Sequence, residues 1–343
     1  DTATPEAPFG ERVAECLHEA LRIAERLGFE TENVGNRVGI AACGPDTEDY
    51  NACVGHLDVV DINGVWKTDP FVCTEKDGFL YARGVLDNKG PTFCCMYALK
   101  ALMDLKYEFP IRVKIIFGTN EETGMEDMKW YFQNHKYPLM GWTPDCKYPV
   151  IYAERGRAAF RYSLPKAELG ELVQFLNGFV LNQNDLSSAL GVDYADEEFG
   201  KNQVRKVELF EEGDTCGLTL VSSYPASYSL DTMREALEKL CTPHMTLSLD
   251  SNLDPVFFDK DTYLVKTLEH VYEEIMQEDG SAVTTTGGSY AKVVKNIVPF
   301  GPSFKGQKGI GHMPDEWMRI CDIEKNAQIY GYAFYRLMDG LGN

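Results

Sequence analysis

Between residues 11 and 27 apolar side chains recur at helical spacing, with Val13, Leu17, Leu21, Ala24 and Leu27 on one face and charged residues on the other. The pattern predicts an amphipathic opening helix, and Gly28 stands where a left-handed C-terminal cap is wanted. Segments 38–43, 53–60 and 111–118 are then short, apolar and rich in β-branched residues, and helical patterns near 91–105 and 125–134 punctuate them. Strands alternating with helices predict an α/β layer structure. From about residue 158 to 249 the texture changes. FRYSL, VRKVELF and GLTLVSSY read as strands, EEGDT as the connection between the last two, and SLDTMREALEKL as a helix with Ser229 at its N-cap. The α/β pattern resumes with DKDTYLVKTLEHVYEEIM and closes with the helix IEKNAQIYGYAFYRLM. The expected architecture is an α/β domain with a mixed central sheet flanked by helices, formed by residues 1–160 and 250–343, with a smaller α+β domain inserted over 161–249.

Charge narrows the partners. With 53 acidic and 33 basic side chains, a net charge of -20 repels phosphate backbones and anionic membrane surfaces, while acidic clusters attract metal cations. No nucleic acid or membrane partner is expected. Ten cysteines without a CxxC pair point to free thiols in a reducing compartment, and no apolar run is long enough to cross a bilayer. The expected location is cytoplasmic.

The polar residues that interrupt the apolar runs carry the chemistry. In GHLDVV, residues 55–60, His56 and Asp58 lie two apart, so a strand would place them side by side at its C-terminal end. Taken alone, this is as readily a packed histidine satisfied by an acid. In GVLDNKGP, Asp87 sits in a glycine-flanked turn before a helix, a position equally suited to a capping role. FGTNEETG places the adjacent acids Glu121 and Glu122 directly after an apolar strand, where they repel one another unless cations or raised pKa values compensate. Asp145 lies behind a proline in GWTPDCKYPVIYAERG, and His312 in the glycine-led loop GHMPDEW. Carboxylates mixed with imidazole suit zinc, manganese or cobalt better than calcium, which takes oxygen only. Together they suggest a metal hydrolase.

The order GHLDVV, WKTDPF, DGFLYARGVLDNKGP, NEETG, TPDCKYPVIYAERG, TTGGSYAK and GHMPDEW resembles the aminoacylase-type dinuclear zinc peptidases, the group that includes ArgE-type and carboxypeptidase-G-type enzymes. TPDxxxPVIYAExG and PFG at residues 8–10 favour their PepV-like dipeptidase branch. The resemblance implies that His56 and Asp145 hold one divalent ion, Glu122 and His312 a second, and Asp87 bridges them, with Zn2+ expected and Mn2+ or Co2+ as alternatives. It implies that Asp58 orients the imidazole of His56 and that Glu121 is the general base on a shared water. It also implies that Gly287, Gly288 and Ser289 hold the substrate carboxylate at a helix start, and that the peptide bond after Asp87 is cis. The larger domain is then catalytic and the inserted one a lid.

Two departures stand out. The family's lid carries a small-residue and histidine segment whose histidine stabilises the oxyanion, and here FRYSLPKAELGELVQFLNGFV runs straight into what resembles the lid's second half. The first half is absent. Where the family tends to have an arginine before a Tyr-Pro pair, this chain has Ser223, and neither His244 nor His270 sits in a matching context. The expected activity is hydrolysis of dipeptides by a monomer or homodimer. The alternatives are an N-acyl amino acid deacylase on the same site, or a metal-binding pseudoenzyme with a degenerate lid. Weak turnover is expected even with metals bound.

Overall fold

The computed structural model of the chain describes residues 3–307 and 309–340. The opening helix spans Glu11–Arg26 and buries Leu17, Ala20, Leu21 and Ala24. It ends where Gly28 turns to a φ of 92°. There the Phe29 N–H donates to the Ala24 carbonyl and the Gly28 N–H to that of Glu25, the bond pair of a Schellman end.

A six-stranded sheet follows, in the spatial order Glu30–Val34, Val38–Cys43, Arg112–Gly118, Tyr50–His56, Gly141–Thr143, Ile297–Pro299. Its first two pairings are antiparallel and the others parallel, so the sheet is mixed, as the sequence predicts. Val38–Cys43 and Tyr50–His56 are buried along their whole length, as strands covered on both faces must be. A Cβ on Gly141 would lie 1.8 Å from the Ala52 carbonyl oxygen, so this close strand approach requires glycine. The helices Lys89–Asp104 and Ile320–Asp339 pack on each other, and Tyr263–Met276 packs on the latter.

Parallel strands end at a common rim, and His56 pairs with Gly118 there. The loops that leave this rim carry Asp58, Glu121, Glu122 and Asp145, the usual place for ligands in such sheets. One expectation is corrected. The strand predicted through residue 60 stops at His56. Leu57 makes a last bond to the Gly118 carbonyl, and the neighbouring strand offers no ladder partner beyond it. Asp58 therefore lies in a loop.

The chain folds as two compact units, Asp1–Tyr152 with Asp259–Val283 and Ser289–Asn343, and Ala153–Phe258 with Thr284–Gly288. The second unit holds a four-stranded antiparallel sheet in the order Gln203–Glu212, Thr215–Tyr224, Gly156–Pro165, Thr246–Leu253. Glu212 pairs with Thr215, leaving Gly213 and Asp214 as the hairpin turn, with Gly213 at a φ of 55°. Phe160, Tyr162, Leu218 and Leu220 alternate onto one buried face and meet Leu172, Phe175, Met233 and Leu237 from the helices Leu169–Phe175 and Leu230–Glu238. Ser229 caps the second helix, accepting from the Thr232 N–H at 3.4 Å. Among the described residues no helix is long and apolar enough to cross a membrane.

Candidate metal centre

His56 ends its strand fully buried, with its two ring nitrogens facing different acids. Nδ1 lies 3.0 Å from the Asp58 carbonyl oxygen and 3.4 Å from its carboxylate. A carbonyl can only accept, so Nδ1 carries the proton and the Nε2 lone pair is left for a cation. Nε2 faces Asp87 Oδ1 at 3.2 Å and Asp145 Oδ2 at 3.7 Å. The other oxygen of Asp87 lies 3.0 Å from His312 Nε2, which is also 3.0 Å from Glu122 Oε2. Two groups result, His56 with Asp87 and Asp145, and Asp87 with Glu122 and His312, the ligand atoms of each lying within 4.8 Å of one another. Asp87 belongs to both.

The donor set fits divalent ions. Ligands at about 2.0–2.2 Å around a tetrahedral ion lie roughly 3.3–3.6 Å apart, close to these spacings, and mixed imidazole and carboxylate favours zinc, manganese or cobalt. The electrostatics agree. Burial alone would lower the pKa of His56, but hydrogen bonds to Asp58 and then Asp87 outweigh it and hold the imidazole well above its ordinary value. Hydrogen bonds to Asp87 and Glu122 push His312 up to about 10. Burial opposes ionisation of Asp87, yet its bonds to His312 and His56 hold the carboxyl below the usual range. The cluster thus draws positive charge into itself, on protons when no ion supplies it.

Glu121 belongs to neither group. It is nearly buried, and burial, then the Asp145 charge, raises its carboxyl pKa well above the ordinary value. Its loop is held from two sides. The Asp58 carboxylate accepts from the Glu121 N–H at 3.1 Å and the Glu122 N–H at 3.0 Å. Asp127 accepts from the Thr119 and Asn120 N–H groups at 2.6 and 3.1 Å and from the Tyr290 hydroxyl at 2.5 Å. Asp58 thus does more than face His56: it also fixes the backbone that carries both acids.

Two further residues escape a sequence reading. Asn88, fully buried, donates to the Pro144 carbonyl at 2.6 Å and accepts from the His56 N–H at 3.2 Å, tying together the segments of Asp145, His56 and Asp87. The Asp87–Asn88 bond is cis, as the resemblance implies. Gly311 allows the His312 loop its approach, since a Cβ there would lie 2.9 Å from Asp87 Oδ2. No local pattern marks Asn88 or Asp127, because His56 and Pro144 for the first and Tyr290 for the second reach them only through folding; only the GVLDNKGP turn hints at the first.

The helix expected after Gly287 and Gly288 is a three-residue 3-10 turn, Tyr290–Lys292, too short to develop a macrodipole. Gly287 and Gly288 are exposed, whereas Ser289 is buried and its hydroxyl accepts from the Ala291 N–H at 3.2 Å. In the second unit Ser223 is buried, and its hydroxyl accepts from Arg155 Nε at 3.1 Å. A guanidinium therefore does stand at this position. It is closed off, because Arg155 also donates to the carbonyls of Phe199, Lys201 and Ser223. His244 Nδ1, exposed, lies 2.7 Å from Glu171 Oε1 in a group with half-buried Glu171 and Glu168, and His270 bonds to its own helix at the Lys266 carbonyl.

A mixed sheet whose parallel rim gathers two histidine–carboxylate groups around one shared aspartate defines a hydrolase of the dinuclear metal class. The profile of peptidase family M20/M25/M40 matches residues 52–336, and the chain belongs to that family. It is a metal-dependent hydrolase. The chain is 27% identical to the Bacillus subtilis (strain 168) protein named "Putative dipeptidase YtjP", over 98% of this chain and 93% of that one. It is 23% identical to the Beta-Ala-Xaa dipeptidase of Lactobacillus delbrueckii subsp. lactis, over 98% and 92%. Its fold matches that of an M20 family metallo-carboxypeptidase, Sso-CP2 from Sulfolobus solfataricus, with a TM-score of 0.71 at 16% identity, over 97% of each chain. The alignment with the Bacillus protein spans 433 positions against 343 residues here, so at least 90 of those positions have no residue in this chain.

Proposed function

We propose that the chain is a cytoplasmic dipeptidase that holds two divalent ions, zinc first, between His56 with Asp145 and His312 with Glu122, bridged by Asp87. The observation that carries this reading is the placement of Glu121, buried beside both groups and a member of neither. A binding protein needs the five ligands; only a catalyst needs the sixth group. The bound ions would supply Lewis acidity to a scissile carbonyl and acidify a water. Glu121 accepts that water's proton and returns it to the leaving amine. Asp58 keeps His56 in the tautomer that presents Nε2 and holds the Glu121 backbone in place. The names of the two relatives support a dipeptide substrate. Ten cysteines spread along the chain without a CxxC pair support a reducing compartment.

The second unit acts as a lid in this reading, and loss of that lid's first half would account for alignment positions that have no residue here. The oxyanion histidine goes with that half. Loss of one preorganised donor costs about 10²- to 10³-fold in turnover, so this chain works slowly on its metal site. The test is a panel of free dipeptides beside N-acetyl and N-succinyl amino acids, assayed with zinc, manganese or cobalt after metal stripping. Dipeptide cleavage above the acylated substrates is expected. Preference for the acylated set would make the chain a deacylase, and no turnover with two ions bound would make it a binding protein.

A further inference from the structure

The motif GHMPDEW contributes His312, yet its fully buried residue is Glu316. The carboxylate of Glu316 is wrapped by the turn that carries Asp87. Oε1 accepts from the N–H groups of Gly84 at 3.1 Å, Leu86 at 2.8 Å and Asp87 at 3.0 Å. Oε2 accepts from Arg83 Nη1 at 2.8 Å and again from the Gly84 N–H at 3.2 Å. The Ala82 N–H reaches the backbone carbonyl of Glu316 as well. Gly84, at a φ of 87°, makes the turn that lets these N–H groups converge as a concave anion nest. Arg83 lies with its guanidinium 5.0 Å from the Trp66 ring centre and pairs directly with the carboxylate, and the Lys89 charge also acts on it.

We propose that Glu316 is a positioning residue that locks the Asp87 turn to the His312 loop and so sets the approach of the bridging carboxylate to both imidazoles. The inference rests on reading Asp87 and His312 as metal ligands. Three residues lie between His312 and Glu316, and Glu316 Oε1 accepts directly from the Asp87 N–H. The two ligands lie far apart in sequence and meet at 3.0 Å, so a carboxylate that binds the backbone of one loop from within the other fixes that distance directly. Its lone pairs are filled by backbone donors of a single turn, which ties the turn more tightly than the Arg83 pair alone would.

Glu316→Gln keeps one acceptor oxygen but turns an amide NH2 toward Arg83 or the Gly84 N–H, donor against donor. The test is metal affinity of the full chain, measured by competition with a chromophoric chelator for zinc and by the visible spectrum of the cobalt-loaded protein. Disturbing groups that orient metal ligands typically weakens affinity about 10- to 100-fold, and that loss with a shifted cobalt spectrum is expected for the folded variant. Tyr162→Phe, which removes a buried hydrogen bond to the Leu237 carbonyl in the other unit, should leave both readouts unchanged. The double variant Arg83→Met with Glu316→Gln removes the unpaired buried charge should the single variant unfold, and the same loss is expected in it. Wild-type affinity and spectrum in either folded variant overturn the proposal. Asp87→Asn separates the two levels: if it loses metal while Glu316→Gln does not, the positioning role fails alone, and if it keeps both ions, the ligand assignment fails first.

Discussion

The rim of the mixed sheet and the core of the second unit bury polar groups in opposite ways. In the second unit Arg155 is the largest buried charge, and its Nε, Nη1 and Nη2 donate to oxygens of the same unit: the Ser223 hydroxyl and the carbonyls of Phe199, Lys201 and Ser223. That network is closed. At the rim, among the described residues, the five carboxylates of Asp58, Asp87, Glu121, Glu122 and Asp145 gather around the imidazoles of His56 and His312, with the Lys89 charge also acting on Asp58 and Asp87, so acids outnumber bases there. Carboxylates in such excess, one buried and four half-buried, are tolerated only with protons or cations among them. A closed network stabilises a fold; an open one of this composition binds ions. The comparison separates structural from functional burial without reference to any relative.

The sharpest way to break it is to exchange the two neighbouring acids. Glu121→Gln should lower turnover by about 10²- to 10⁴-fold while both ions remain, because the amide cannot take a proton. Glu122→Gln should lose turnover and also release metal. Elemental analysis of the purified variants beside steady-state kinetics decides it, and equal metal loss in both would show that the roles are misassigned.

The closed network predicts the reverse pattern. Arg155→Met leaves carbonyls and a hydroxyl unpaired in a buried place, at about 1–3 kcal/mol each where they cannot rehydrate, so unfolding should be easier by roughly 2–5 kcal/mol. Metal affinity should not change. A chemical denaturation curve and a chelator competition on the same sample test both halves; metal loss without destabilisation would put Arg155 on the wrong side of the comparison.

Protons provide a gentler probe. The pKa of His312 rises from 6.5 to about 10 in the metal-free protein because Asp87 and Glu122 favour the imidazolium. A raised pKa contributes stability that is fully present below the unfolded value and is lost as pH climbs through the folded one. The metal-free protein should therefore lose stability between about pH 6.5 and 10, and the metal-loaded protein, whose His312 is held by an ion, should not lose it there. Ion binding at neutral pH should release protons, and apparent affinity should fall on acidification. Thermal melts of both forms across that range would expose a failure as parallel curves.

The two regions also differ in what their sequences disclose. Alternating apolar residues in FRYSL and GLTLVSSY specify the second unit's buried face, because period-2 burial is a local property. The rim is legible through its interruptions: His56, Asp87, Glu121, Glu122, Asp145 and His312 each break an apolar or glycine-rich run, and the structure brings all six to one place. Asn88, Asp127, Arg155 and Glu316 were hidden for one shared reason. Each satisfies groups brought close only by folding, so nothing beside them in the chain announces the partner. The end of the strand at His56 was hidden likewise, since a strand stops where its neighbour stops. The helix expected after Gly288 failed differently, as a good local start signal followed by only one 3-10 turn.

The smallest expected effect tests the boundary of the closed network. Ser223 occupies the position where the resembled family tends to place a carboxylate-gripping arginine, which raises the question whether its hydroxyl has inherited that contact. Its surroundings argue against it, since the residue is only 6% exposed and its hydroxyl already accepts from Arg155. Ser223→Ala should therefore cost about 0.5–1.5 kcal/mol of stability, the worth of one buried hydrogen bond, and leave KM for a dipeptide unchanged. A hydroxyl that held the substrate carboxylate would instead raise KM on removal, because a contact made equally in ground and transition states alters KM before kcat. A KM increase of about tenfold at unaltered stability would move Ser223 from the closed network into the substrate site, and would show that a serine can take over part of an arginine's task once a second guanidinium stands behind it.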